Sequence, residues 1–165
     1  MNAIQFVSQA LASSRGWGMG LLMDMQETPL VQPTSNGGNH PIWVLGHLVL
    51  SESTLLDQFI LGQPNRFPEL QEKFGIGSQP TTDPADYPSF GELLAHSETI
   101  RAAVMEYVGG LTEEDLDKAT HAPAEFGEGF STVGGCLTTM CSHFTFHAGQ
   151  VSDARRAAGK GPLMA

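Results

Sequence analysis

The sequence predicts an all-α chain, a four-helix bundle, on three observations. Four stretches of about 20 residues repeat apolar side chains at alternating steps of three and four, the pattern of helices with one buried face. Nowhere does the chain show the period-two alternation of β-branched and polar residues that marks a sheet strand. The composition, 41% hydrophobic and 16% charged over 165 residues, suits one core of ordinary size.

The first helix is expected from Ala3 to Met25, where Ile4, Val7, Leu11, Ser14, Gly18, Leu21 and Met25 keep the helical step beside Ala10 and Leu22. Gly16, Gly18 and Gly20 each cost a helix up to about 1 kcal/mol relative to alanine, which points to a close backbone approach or a kink. The stretch 27–38, ETPLVQPTSNGG, reads as a loop. A second helix runs from Asn39, read as its N-cap, through Pro41 to Leu61. Val44, Leu48, Leu55 and Phe59 form its stripe, and Gly62 and Pro64 end it.

Residues 63–88 hold Pro64, Pro68, Pro80, Pro84 and Pro88, a long connection with room for one short helix around Glu69 to Phe74. The third helix starts near Ser89 and stops at Gly109–Gly110, with Phe90, Leu93, Leu94, Ser97, Arg101, Val104 and Val108 along its stripe. Thr112 followed by Glu113, Glu114 and Asp115 suits a short capped helix to Lys118. After an irregular stretch at 119–131, a fourth helix runs from Thr132 to Ala158, closed by Gly159 with Pro162 beyond. The whole is read as one domain.

Charge narrows the function. Eight basic against 18 acidic side chains leave a net −10, a surface that repels phosphate backbones and anionic lipid. No apolar run approaches a membrane span, and the first 15 residues lack a signal peptide's layout, so a cytoplasmic protein is expected. Cys136 and Cys141 stand five apart in one helix, on different faces, and read as two small buried hydrophobes.

Of six histidines, three stand out. His143 and His147, four apart, share one helix face and lie about 6 Å apart along its axis, a spacing that can give two ligands to one ion. On a helical wheel Cys136, Met140, Gln150 and Ala154 fall within about 60° of them, at the edge of the core face. His47 lies two turns into the second helix, bordered by Val44 and Leu48, with Ser51, Thr54 and Gln58 continuing its line. Buried imidazoles need partners, and a divalent transition metal is one. His96 is expected in solvent, His121 in a loop and His40 at a helix start. Neither H-E-x-x-H nor the paired Glu-x-x-His of a di-iron bundle is present.

Two segments, N-H-P-x-W-x-x-G-H-L at Asn39 to Leu48 and H-x-x-x-H-x-G-Q-x-x-x-x-R-R at His143 to Arg156, resemble the DinB/YfiT-like superfamily of bacterial metalloproteins. The likeness extends to helix lengths, the proline-rich connection and the closing Gly159 to Pro162. It implies an up-down-down-up bundle that binds nickel, zinc or a similar ion through one histidine of the second helix and two of the fourth, here His47, His143 and His147.

Iron, manganese, cobalt and copper also suit such ligands. Characterised members are metal-dependent transferases or isomerases acting with small thiols such as bacillithiol, mycothiol or glutathione. The expected partners are therefore a small-molecule substrate and a low-molecular-weight thiol, with room for a homodimer. Three imidazoles leave a coordination position open for water or a thiol, so hydrolysis is one alternative and a non-catalytic metal-binding stress protein another. Gln150 and Trp43, on the same faces as the histidines, are candidates to orient a ligand or wall the substrate pocket. Arg155 and Arg156 are expected to pair with surface acids.

Overall fold

The computed structural model describes residues 1–35, 37–161 and 163. Helix α1 covers Ala3–Asp24, α2 Pro41–Ser53, α3 Gln71–Phe74, α4 Phe90–Gly109 and α5 Val133–Ala157. Short 3-10 turns flank them, and no strand forms among the described residues. Pro162, the expected stop after the last helix, and Asn36 in the first loop lie outside the described residues.

Local chemistry explains the helix starts. Asn2 caps α1 and Ser89 caps α4, each in a reciprocal box with the side chain three positions on, Gln5 and Glu92. Thr132 caps α5 through the Gly135 amide, and Gly159, at φ +75, turns the chain out of it. The reading of Asn39 as cap of α2 is corrected: His40 occupies that position, and its side chain accepts the Trp43 amide. Pro41 opens the helix, so the cap must be the residue directly before it. Asn39 turns its amide to Gln150 instead, at 3.4 Å.

Helix α2 does not end at Ser53 but widens into π-helix over Thr54–Ile60, where Leu61 N–H reaches back to the Leu56 carbonyl. The wide turn lets Ser53 donate to Asp57 at 2.8 Å while Arg66 grips the same carboxylate twice, at 2.6 and 2.9 Å. Helix α1 runs unbroken through its glycines, so the kink alternative is set aside. The close approach is at Gly18 alone, where a Cβ would stand 2.6 Å from the Phe144 ring.

Contacts fix the directions. Gly18 meets Phe144 and Asp24 meets Arg155, so α1 and α5 run parallel. His47 meets His143 and Asn39 meets Gln150, so α2 and α5 are antiparallel. His40 lies against Tyr87 and Glu52 against Arg101, so α2 and α4 are parallel. Arg15 bonds Ser97 at 2.8 Å and the Ala3 amide reaches Glu113 at 2.7 Å, so α1 and α4 are antiparallel. That is the up-down-down-up arrangement.

The core fills the centre, with Leu11, Leu22, Val44, Leu45, Leu93, Ile100, Leu137 and Phe144 closed to solvent. Every residue from Pro41 to Leu50 is buried, wider than one stripe, because α4, α5 and the 68–74 segment cover α2 from several sides. Arg101, placed on the apolar stripe of its helix, is explained by Glu52, which it meets as a buried ion pair. Its guanidinium also lies 5.5 Å from the Phe144 ring centroid. Helices α1 and α5 leave an open groove on their outer side, edged by the exposed rings of Phe6, Trp17 and Phe146.

Candidate metal centre

His47 rises from the middle of α2, and His143 and His147 from adjacent turns of α5. Because these helices are antiparallel and in contact, the imidazoles meet in the seam between them. His143 Nε2 lies 3.2 Å from His47 Nε2 and 2.9 Å from His147 Nε2. His47 and His147 are buried and His143 half-buried. Among the described residues no thiolate or carboxylate joins this cluster. Cys136, on the same side of α5, turns its thiol to the Phe130 carbonyl at 3.5 Å, and burial pushes its pKa up to about 11.

The outer nitrogens set the tautomers. His47 Nδ1 donates to the Phe74 carbonyl at 2.7 Å, since a carbonyl can only accept. His147 Nδ1 lies 2.8 Å from Gln150 Oε1 and donates to it. Both rings carry their proton outward and present a bare Nε2 lone pair inward. His143 Nε2 can hold at most one proton for two such acceptors, so the metal-free cluster is one donor short.

Burial lowers all three basicities. His143 is pushed down to about 3, by burial first and then by His147 and His47 beside it. His147 is pushed down to about 4 by burial, against the opposing bond to Gln150. His47 falls below its ordinary value for the same reason, against the pull of the Phe74 carbonyl. At neutral pH the three are uncharged, the form that binds metal. Three neutral imidazole nitrogens facing one point suit zinc, nickel, copper or iron, with at least one position left over.

The weaker candidates take definite places. Gln150 is half-buried and braces His147 from behind while meeting Asn39. Trp43 is buried and stacks on His47, ring centroids 4.6 Å apart at 13°. Its indole N–H reaches the Lys73 carbonyl and Ser78 Oγ, both at 3.1 Å. Arg155 does pair with an acid, Asp24 at 2.8 Å, but is itself buried, while Arg156 is exposed. His96, expected in solvent, is half-buried with its ring 4.5 Å from that of Phe67, which the 63–88 connection folds back onto α4. His121 lies against Gly62 with its amide on the Phe59 carbonyl at 2.7 Å.

Sequence reasoning missed the roles of Phe74 and Gly46. Phe74 is fully buried with its ring against Gly46, where a Cβ would stand 2.3 Å away, and its carbonyl holds His47. The glycine one residue before a candidate ligand was the available signal, since only a missing side chain admits a ring so close to the helix.

Comparisons with known proteins agree with the fold. The family model of the DinB superfamily matches residues 19–151. A crystal structure of a conserved protein from Enterococcus faecalis superposes with a TM-score of 0.70 at 17% identity, over 97% of this chain and 99% of that one, a likeness of fold. A 1-deoxy-D-xylulose-5-phosphate synthase of Leptothrix cholodnii is 27% identical over 112 residues, 68% of this chain. The match spans only 16% of that protein, too small a share to bring its activity with it. With a family match over most of its length and the bundle in place, this chain belongs to the DinB superfamily.

Proposed function

We propose that His47, His143 and His147 hold one divalent transition metal, zinc or nickel, and that the chain is a metal-dependent transferase acting with a low-molecular-weight thiol. The observation that carries the metal is the pair of outward-donating rings, which leaves bare Nε2 atoms facing one another with too few protons to satisfy them. The thiol rests on resemblance to characterised members of the family, an argument by analogy.

Such an ion, when bound, supplies Lewis acidity and lowers the pKa of a thiol placed at its free position. The chain's own contribution is orientation: the Phe74 carbonyl fixes His47, Gln150 fixes His147, and the Trp43 indole shields one face of His47 from water.

Metal analysis of protein purified without a histidine tag is the direct test, followed by thiol-consumption assays with and without the ion. One ion per chain and metal-dependent thiol turnover, both lost in His143→Ala, are expected. Stoichiometric metal with no turnover across cellular thiols would leave a non-catalytic metal-binding protein. No metal at all would remove the reading.

A further inference from the structure

His40 is fully buried at the start of α2 and bonds through both ring nitrogens. Nδ1 accepts the Trp43 amide at 3.2 Å, so the proton sits on Nε2, which donates to the Thr81 carbonyl at 2.7 Å. The second bond spans 41 residues of sequence and ties the start of α2 to the middle of the connection between α3 and α4. Tyr87 lies edge-on to the His40 ring, centroids 5.2 Å apart. Its hydroxyl accepts the Thr81 amide at 2.7 Å and meets the Thr81 carbonyl at 3.3 Å.

Between Phe74 and Thr81 the chain buries no large side chain: Ile76 is 86% exposed, and Gln79 and Thr81 stand in solvent. Apolar burial in this segment is therefore complete only at Phe74, with Pro80 half-buried. Polar clasps hold the rest: His40, Tyr87 and Asp86 on Thr81, the last accepting the Thr81 hydroxyl at 2.6 Å, and the Trp43 indole on Lys73 and Ser78. The same stretch supplies the carbonyl that sets the His47 tautomer, and the same indole stacks on His47.

We propose that His40 is a positioning residue for the three-histidine site, clasping the 75–81 segment through Thr81 and so holding the Trp43 indole and the Phe74 carbonyl against His47. Its consequence for metal rests on the metal-centre reading; its effect on His47 does not. Burial holds His40 below its ordinary pKa, which keeps it in the neutral form that can donate and accept at once.

The test separates capping from clasping. His40→Asn keeps a good helix cap but is too short for Thr81. Tyr87→Phe leaves the cap alone and removes the hydroxyl that brackets Thr81. Nitrogen-resolved NMR of the metal-free protein reads the ring tautomers, hydrogen exchange reads the 75–81 amides, and titration with cobalt(II) reads affinity.

In the unsubstituted protein His47 should show a single Nδ1–H tautomer. Both variants should show a mixed or broadened His47 signal, faster exchange at 75–81 and a Kd for cobalt raised about tenfold, with an unchanged far-UV spectrum. A His47 tautomer and a cobalt Kd unchanged in His40→Asn would overturn the proposal, whatever Tyr87→Phe shows. If His40→Asn fails to fold, His40→Ser, which also caps the helix and is too short for Thr81, is read by the same criteria. If the unsubstituted protein takes up no cobalt, the metal-centre reading falls while the tautomer measurement still decides the role of His40.

Discussion

The sharpest consequence of the packing around His47 is that one substitution has opposite effects at two glycines. At Gly46 an added Cβ would lie 2.3 to 2.5 Å from three atoms of the Phe74 ring, which is fully buried and has nowhere to swing. At Gly16 an added Cβ meets nothing within 4 Å. Replacing glycine by alanine inside a helix gains up to about 1 kcal/mol in either place. Overpacking a closed core costs about 1–3 kcal/mol, and an overlap of more than 1 Å with a fixed ring belongs at the upper end. Gly46→Ala should therefore lose about 2 kcal/mol net, or about 4–8 °C in Tm for a domain of this size. Gly16→Ala should gain up to about 1 kcal/mol, or about 2–4 °C. Because the displaced Phe74 carries the carbonyl that orients His47, Gly46→Ala should also weaken metal binding, and Gly16→Ala should not. Thermal melting of the metal-free proteins, followed by metal titration, reads both effects. A Gly46→Ala protein that melts at or above the temperature of its parent would refute the reasoning.

Other outcomes follow from the same geometry. Gln150→Leu keeps the volume but removes the acceptor of the His147 Nδ1 proton, so metal affinity by competitive chelation should drop about tenfold or more with little change in Tm. Glu52→Ala strands a buried guanidinium whose Nε and Nη1 already lack protein partners, and should cost about 3–5 kcal/mol in denaturant unfolding; the double variant Glu52→Leu with Arg101→Met should recover most of that. In the metal-free protein the folded imidazoles of His143 and His147 resist protonation down to about 3 and about 4, whereas unfolded ones take a proton near the ordinary 6.5. The unfolded state then binds more protons across that window, so stability is full above pH 6.5 and drains away as pH falls towards 4. Tm measured against pH should show that slope, and His143→Leu should flatten it.

Much of the architecture was legible because it is written in local patterns. The periodicity of Leu11, Ser14, Gly18 and Leu22, the Ser89 cap and the Gly159 stop each act within a turn or two of chain. The approach of His47 to His143 and His147 was implied by the resemblance carried by the two histidine segments, with the four-residue spacing of His143 and His147 on one face of α5 as the local signal. The rest was illegible for definite reasons. The Phe74 and Thr81 contacts run through backbone carbonyls, which leave no residue-type signature. The π-helical turn at Thr54–Ile60 depends on Asn65 and Arg66, beyond the helix itself. Arg101 and Glu52 lie 49 positions apart, so neither marks the other in a helical wheel.

The outward-pointing N–H groups of His47 and His147 also bear on how an ion would arrive. A cysteine site must shed protons as it loads, and its affinity climbs steeply with pH. Here the Nε2 lone pairs of His47 and His147 already face inward, free of protons at neutrality, with each ring proton held on Nδ1 and donated to a carbonyl or an amide oxygen. Loading would then be almost proton-neutral, and a cell drifting between slightly acid and slightly alkaline would find the site equally ready.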